Sequence, residues 1–236
     1  MKVLVLNASP RKEASNTMKV TRAFLAGCEG AEVETVHLST LNVHPCLGCL
    51  SCWGRTEGEC VIHNDDMDAL GAKIMAADVI VESFPLYFFG VPGTLKVVTD
   101  RLLRMLCTYR GQMPDPGESF HGIRFPELRE KKLILISTCG YGQTDMIYDG
   151  VRAQYDCIAG HGHYSTLFCP QGKTLSEPTL ASRVEKHLQI FTEAGRELAL
   201  TGTISPETQK AVEKPMLPDR TFRMLLAEFW RREKEG

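Results

Sequence analysis

Cys46, Cys49, Cys52 and Cys60 stand in a C-x2-C-x2-C-x7-C pattern within residues 44–63. Two-residue gaps let successive thiolates turn toward one centre, and a fourth cysteine at longer reach closes a tetrahedral set. The spacing points to a metal centre, either an iron-sulfur cluster or a zinc ion, with His44 or His63 able to replace one ligand. Reduced, unligated cysteines or a disulfide formed on isolation are the readings without metal. Of the other cysteines, Cys28, Cys107 and Cys157 fall on expected helices and Cys169 on an expected strand, where they read as small core residues. His161 and His163 have no visible partner and read as loop or packing residues.

A second concentration of chemistry opens the chain. Val3-Leu4-Val5-Leu6 is too short for a free-standing helix and breaks into Asn7-Ala8-Ser9-Pro10-Arg11, followed by Ser15-Asn16-Thr17. This is a strand, a polar loop and a helix start. Backbone N–H groups at a helix N-terminus attract anions, and here the hydroxyls of Ser9, Ser15 and Thr17, the amide of Asn16 and the guanidinium of Arg11 would join them. The loop lacks the Gly-Lys-Ser/Thr of a P-loop and the three spaced glycines of a dinucleotide site, so a phosphomonoester suits it best. An ordinary, well-capped strand-to-helix turn is the competing reading.

The third is Phe84-Pro85-Leu86-Tyr87-Phe88-Phe89-Gly90, an aromatic turn expected to be exposed. A flat heteroaromatic ligand against Tyr87 and Phe88, with backbone N–H groups near Gly90 reaching its heteroatoms, would account for it. Packing under the next helix or into a dimer contact is the alternative. Thr138-Cys139-Gly140-Tyr141-Gly142-Gln143 is again punctuated by glycine, allowing backbone to approach a ligand closely.

These loops need a scaffold that brings them together. Strands are expected at 3–6, 32–38, 78–85, 133–137 and 164–169, and helices from Ser15 to about Gly27–Gly30, over 64–77, 93–107 and 144–159, and from Leu180 to Gly202. Strands followed by helices imply a doubly wound parallel sheet covered on both faces, with ligands at the carboxyl ends of the strands. Residues 108–130 exceed what such a fold requires and read as a lid or interface insertion. Residues 203–236 read as a helical extension, with Ser205-Pro206-Glu207 capping a short helix and Phe222 to Trp230 marking a final amphipathic one.

The 236 residues are 43% hydrophobic and 24% charged, enough for one large α/β domain. A formal charge of -2 without a long basic run disfavours nucleic acid as a partner. The absence of a run of about 20 apolar residues argues against a membrane span. With no leader-like start, the expectation is a cytoplasmic protein in which the bunched cysteines serve metal or redox chemistry.

Leu6 to Arg11 with Ser15-Asn16-Thr17, and Pro85-Leu86-Tyr87-Phe88-Phe89-Gly90 followed by Lys96 and Asp100-Arg101, resemble the flavodoxin-like NADPH-dependent FMN reductases. The run from Pro45 to Cys52, then Cys60-Val61-Ile62 and Asp65-Asp66-Met67, looks like the iron-sulfur flavoprotein branch, and the tail from Gly202 to Trp230 is similar to theirs. The resemblance implies a flavodoxin-like five-stranded parallel sheet of order 2-1-3-4-5, with an FMN-binding domain over 1–202. It places the FMN phosphate at Ser9, Arg11, Ser15, Asn16 and Thr17. It places the isoalloxazine at Pro85, Leu86, Tyr87, Phe88, Gly90, Thr138, Cys139, Gly140 and Tyr141.

The resemblance also favours a [4Fe-4S] cluster on Cys46, Cys49, Cys52 and Cys60. The implied activity is an FMN-dependent oxidoreductase needing no nucleophile or general base from the protein. Its electrons would pass to a small-molecule acceptor or a ferredoxin-like protein, with NAD(P)H a candidate donor and a homodimer or homotetramer the expected assembly. Ala8 stands where the family has glycine, and Glu13 brings a negative charge into the anion loop, which the phosphate reading requires to point outward. Two further functions fit the same residues: a cluster-free NAD(P)H-dependent reductase of flavin, quinone or nitro compounds, and a zinc-stapled, non-enzymatic binding module.

Overall fold

A computed structural model of the chain describes residues 1–108, 113–115 and 117–235. Residues 109–112 and 116, part of the expected 108–130 insertion, lie outside the described residues. The elements in chain order are β1 (Lys2–Asn7), α1 (Asn16–Gly27), β2 (Glu32–His37), α2 (Met67–Ala76), β3 (Val79–Pro85), α3 (Gly93–Arg101) and β4 (Lys132–Thr138). They continue with α4 (Asp149–Ala159), β5 (Tyr164–Cys169), α5 (Ala181–Thr201), α6 (Pro206–Val212) and α7 (Asp219–Glu235).

The strands form one parallel sheet in the order β2-β1-β3-β4-β5, which is the expected flavodoxin-like topology. Its cause is visible in the side chains. Along β1, Val3 and Val5 face one layer and Leu4 and Leu6 the other, so both faces of the central strands are apolar and need helical cover. Val3, Val5, Val81, Ile134 and Ile136 pack under α1 and α5 through Val20, Phe24, Phe191 and Leu198. Leu4, Leu6 and Leu135 pack under α2, α3 and α4 through Met67, Leu70, Leu95, Val98 and Val151. The edge strand β2 stays more open, with Val33 42% exposed.

Three expected boundaries shift. The helix expected over 93–107 ends at Arg101 and tightens into a 3-10 turn through Met105. The helix expected from 144 begins at Asp149: Ile147 and Tyr148 donate to the Thr144 carbonyl in a tight turn, and Met146 adopts a left-handed φ of 63°. The helix expected from 64 begins at Met67, whose N–H donates to Asp65 Oδ1. Cys28 and Cys169 are buried as expected, but Cys157 is exposed and Cys107 half-buried.

Residues after 202 are not an appendage. Ile204, Val212 and Met216 join the core layer of α1 and α5. The buried Gln171 side chain donates to the Leu217 carbonyl and accepts from the Leu217 N–H, both at 2.8 Å. Phe222 of α7 is buried, and Lys173 Nζ sits 3.5 Å from the centre of the Phe229 ring. None of the described helices is long and apolar enough to cross a membrane.

Candidate functional site

In a parallel sheet every strand ends at the same edge, and a ligand crevice opens where the strand order reverses. Here the chain leaves β1 for β2 on one side and returns to β3 on the other, so the reversal lies between β1 and β3. The loops after β1, β3 and β4 therefore lie side by side.

The loop after β1 bends through a 3-10 turn over Lys12–Ala14, with Lys12 at a φ of 48°. Ser15 then caps α1, its Oγ accepting from the Met18 N–H at 3.0 Å. The Ser15 hydroxyl proton remains available to an anion, as do the N–H groups of Asn16 and Thr17, which have no carbonyl one turn back in the helix. Ser9 is buried, with its N–H on Asn7 Oδ1 at 2.9 Å, while Arg11 is exposed. The Glu13 carboxylate pairs with Arg22 at 2.8 Å, which offsets the charge it brings to the loop, and its other oxygen lies 3.3 Å from His37 Nε2.

Two of the expected phosphate ligands are engaged elsewhere. The Asn16 amide donates to the Gly172 carbonyl at 2.8 Å and accepts from Ser176 Oγ at 2.5 Å, tying α1 to the segment after β5. The Thr17 hydroxyl meets the Thr138 hydroxyl at 2.6 Å in a buried contact. That second bond links the β1 loop to the end of β4, so the structure does bring these two expected regions together.

The loop after β3 starts from Pro85 and Leu86, both half-buried, with the Leu86 N–H on the Thr138 carbonyl at 2.9 Å. Tyr87 and Gly90 then exchange hydrogen bonds of 3.1 and 3.0 Å, closing a two-residue hairpin in which Phe88 and Phe89 both take left-handed φ values. Such φ values are uncommon for aromatic residues and hold Phe88 98% exposed. The Gly90 N–H is thus spent on Tyr87, so the expected backbone contact to ring heteroatoms falls to its neighbours in the turn. Phe89 stacks on Tyr141 from the β4 loop, ring centres 5.4 Å apart, joining the second and third loops. Gly140 is exposed. Cys139 turns inward to the core beside Tyr148 and Phe168, and burial pushes its thiol up, so it meets this edge through backbone alone.

The cysteine loop follows β2 at the same edge. Gly48 and Leu50 take φ values of 63° and 55°, folding the chain back so that the Gly48 N–H donates to Cys46 Sγ at 3.4 Å. Ser51 holds the Cys49 thiol below its usual range through its hydroxyl and backbone. Burial pushes the Cys52 thiol up. Among the described residues no three His, Cys, Asp or Glu side chains close to the arrangement of a bound metal ion. Four free thiols on one loop nonetheless form a donor set that suits a thiolate-bound cluster. His63 pairs with Asp68 at 3.3 Å.

Sequence reasoning missed what holds this loop. Arg101, 2% exposed, donates to the His44 carbonyl at 2.8 Å, to the Ile62 carbonyl at 3.2 Å and to both oxygens of Asp65 at 2.5 and 3.3 Å. Burial would raise the Asp65 carboxyl, but the Arg101 hydrogen bond and the His44 and Met67 N–H groups outweigh it and hold the group below the usual carboxylate range. Trp53 Nε1 bonds the Leu103 and Leu106 carbonyls, and its ring lies 5.0 Å from that of His121. Arg124 bonds the Cys52 carbonyl and Glu57. The described part of the insertion therefore flanks the cysteine loop. Two cavities, about 500 Å³ beside Leu180 and about 550 Å³ beside Cys107, are lined by no residue of the three loops after β1, β3 and β4.

Sheet order and converging loops define a flavodoxin-like protein. The chain belongs to the NADPH-dependent FMN reductase family, whose model matches residues 1–148. It is 40% identical over 102 residues to an iron-sulfur flavoprotein of Methanocaldococcus jannaschii, a match covering 43% of this chain and 51% of that protein. An FMN-dependent NADH:quinone oxidoreductase of Pseudoalteromonas atlantica is 34% identical over 128 residues, covering 51% of this chain and 63% of the relative. The chain spans about half the length of the iron-sulfur flavoproteins it matches. Among solved structures, the NAD(P)H:quinone oxidoreductase from Methanothermobacter marburgensis superimposes with a TM-score of 0.60, at 20% identity, over 84% of this chain and 96% of that one. That likeness is one of fold.

Proposed function

We propose that this chain is an FMN-dependent oxidoreductase that pairs FMN with a [4Fe-4S] cluster. The observation that carries the reading is the convergence of the β1, β3 and β4 loops at the reversal point, with the first turn of α1 open to an anion. Family membership and the names of the relatives support the same reading.

In it, the N–H groups of Asn16 and Thr17, the Ser15 and Ser9 hydroxyls and the Arg11 guanidinium take the FMN phosphate. Asn16 and Thr17 act through backbone and position rather than through their engaged side chains. Pro85, Leu86, Tyr87, Phe88, Gly90, Thr138, Cys139, Gly140 and Tyr141 frame the ring, with Cys139 and Gly90 contributing shape and backbone. When bound, FMN supplies the redox chemistry, taking up a pair of electrons and releasing them singly or together. Cys46, Cys49, Cys52 and Cys60 hold the cluster. NAD(P)H is the proposed donor, and a small molecule or ferredoxin-like protein the acceptor.

Association into a homodimer or homotetramer belongs to the same proposal, resting on the exposure of Phe88, Tyr141, Leu47 and Trp230. The cytoplasm is the proposed compartment.

Purification without oxygen should yield flavin bands together with about four iron and four acid-labile sulfide per chain. Flavin alone would leave the cluster-free reductase, and a colourless protein that stays colourless with added FMN would overturn both. The Ser15→Ala variant should raise the Kd for FMN about tenfold, the equivalent of one hydrogen bond to a charged group. Fluorescence quenching on titration with FMN measures it.

A further inference from the structure

Asn7 ends β1 fully buried, paired in register with His37 at the end of β2. Its side chain is held from two directions. The Ser9 N–H donates to Asn7 Oδ1 at 2.9 Å, and Asn7 Nδ2 lies 3.0 Å from His37 Nδ1. A backbone N–H can only donate, so the oxygen of Asn7 must face Ser9 and its amide protons must face the ring. His37 Nδ1 is then an acceptor without a proton, and the neutral ring carries its proton on Nε2. That nitrogen faces Glu13 Oε1 at 3.3 Å, while Glu13 Oε2 and the Glu13 carbonyl accept from Arg22 Nη1 at 2.8 and 3.0 Å.

One imidazole therefore meets both ends of the loop after β1. Through Nδ1 and Asn7 it fixes the entry at Ser9, and through Nε2 it faces Glu13 in the 3-10 turn before Ser15. The loop needs such a hold, because Lys12 stands at a φ of 48°, which a lysine keeps only where its surroundings impose it. The relay ends on a group suited to an anion. The Ser9 Oγ accepts from the Arg11 N–H at 3.4 Å, which leaves the Ser9 hydroxyl proton for another acceptor. Glu13, a negative charge set into the anion loop, serves here to orient the ring that holds the loop.

We propose that His37 is a positioning residue for the FMN phosphate: as the Nε2–H tautomer, oriented by Glu13, it fixes Asn7 and through it the Ser9 turn that opens the anion loop. The inference rests on the phosphate site proposed above and adds to it a residue from a neighbouring strand. A group that holds ligand donors in place changes affinity through that geometry, without touching the ligand. Loss of His37 should weaken the hold on the phosphate and leave the ring contacts of the β3 and β4 loops as they are.

Two measurements on the full chain test it. Long-range 1H–15N correlation on a chain carrying 15N-histidine, with the His37 signal assigned by its loss in His37→Leu, should show Nδ1 bare and Nε2 protonated at neutral pH. Fluorescence titration with FMN and with riboflavin, which lacks the phosphate, then separates the anion loop from the ring site. In His37→Leu the Kd for FMN should rise about tenfold while that for riboflavin keeps its wild-type value. His37→Asn, which offers an amide oxygen near the place of Nδ1, should restore most of the preference for FMN. If His37→Leu fails to fold, the tautomer decides, its signal assigned in His37→Asn. The role of His37 is overturned, and the phosphate site left standing, by a protonated Nδ1 in the wild-type chain or by a His37→Leu chain that keeps the wild-type preference. An equal rise in Kd for both flavins, or a His37→Asn chain as weak as His37→Leu, overturns it too. A wild-type chain that binds riboflavin as tightly as FMN overturns the phosphate site and this inference with it.

Discussion

Glu82 is buried on the central strand β3, with the Tyr155 hydroxyl as its hydrogen-bond donor. Burial pushes its carboxyl up to about 7, the Tyr155 hydrogen bond opposing only part of the effect. The folded protein therefore keeps this proton in a range where the unfolded chain has released it. Its contribution to stability is complete below the unfolded carboxyl value and is lost as pH rises through about 7. Urea unfolding should show stability falling by up to ~3 kcal/mol from this group between about pH 4.5 and 8. Glu82→Gln, neutral at every pH, should remove that slope. A variant whose stability keeps the wild-type pH profile would assign the slope to other groups.

At the scale of elements, the contact of α1 with α5 depends on two glycines. A Cβ on Gly27 would stand 1.9 Å from the Thr192 carbonyl oxygen, and one on Gly195 would stand 2.0 Å from that of Phe24. The obstacles are backbone atoms that cannot rotate away. Gly195→Ala should therefore destabilise the protein by roughly 1–3 kcal/mol or more, although alanine is the better helix former. A lowered thermal midpoint checks it, and Gly27→Ala should not add fully, since one separation of the helices relieves both clashes. Loops follow the same logic: the aromatic hairpin at 87–90 and the cysteine loop at 44–63 each have partners from other elements, Tyr141 for the first and Arg101, Arg124 and the Leu103 and Leu106 carbonyls for the second.

For the molecule as a whole, the segment after 202 closes one core layer and is latched by Gln171 to Leu217, with a second latch where Thr144 and Arg152 both bond Glu213. Gln171→Ala would leave the Leu217 N–H and carbonyl without their buried partner, at a cost of roughly 2–3 kcal/mol. Limited proteolysis should then cut within 203–220 faster than in the wild-type chain, before the 1–202 part is attacked. Equal cutting rates would show that the apolar contacts of Val212 and Met216 suffice to hold the tail.

The sequence by itself determined the sheet, because the central strands β1 and β4 are apolar runs that a parallel sheet covered on both sides can bury, and the crossovers between strands read as helices. It also determined the caps at Ser15 and Ser205, whose hydroxyls accept from Met18 and Thr208 three residues on, and the grouping of the four cysteines on one loop. These are short-range facts, fixed by propensity and spacing. The tertiary structure alone decided which polar groups remain free. Asn16 is taken by Gly172 and Ser176, 156 and 160 residues away, and Cys139 by the core. Likewise Asp100-Arg101 is legible as a motif, but the Arg101 pairing with Asp65 across 36 residues is not. A hydrogen bond depends on where two distant segments meet, and that meeting is set by the packing of the whole chain rather than by the residues that make the bond.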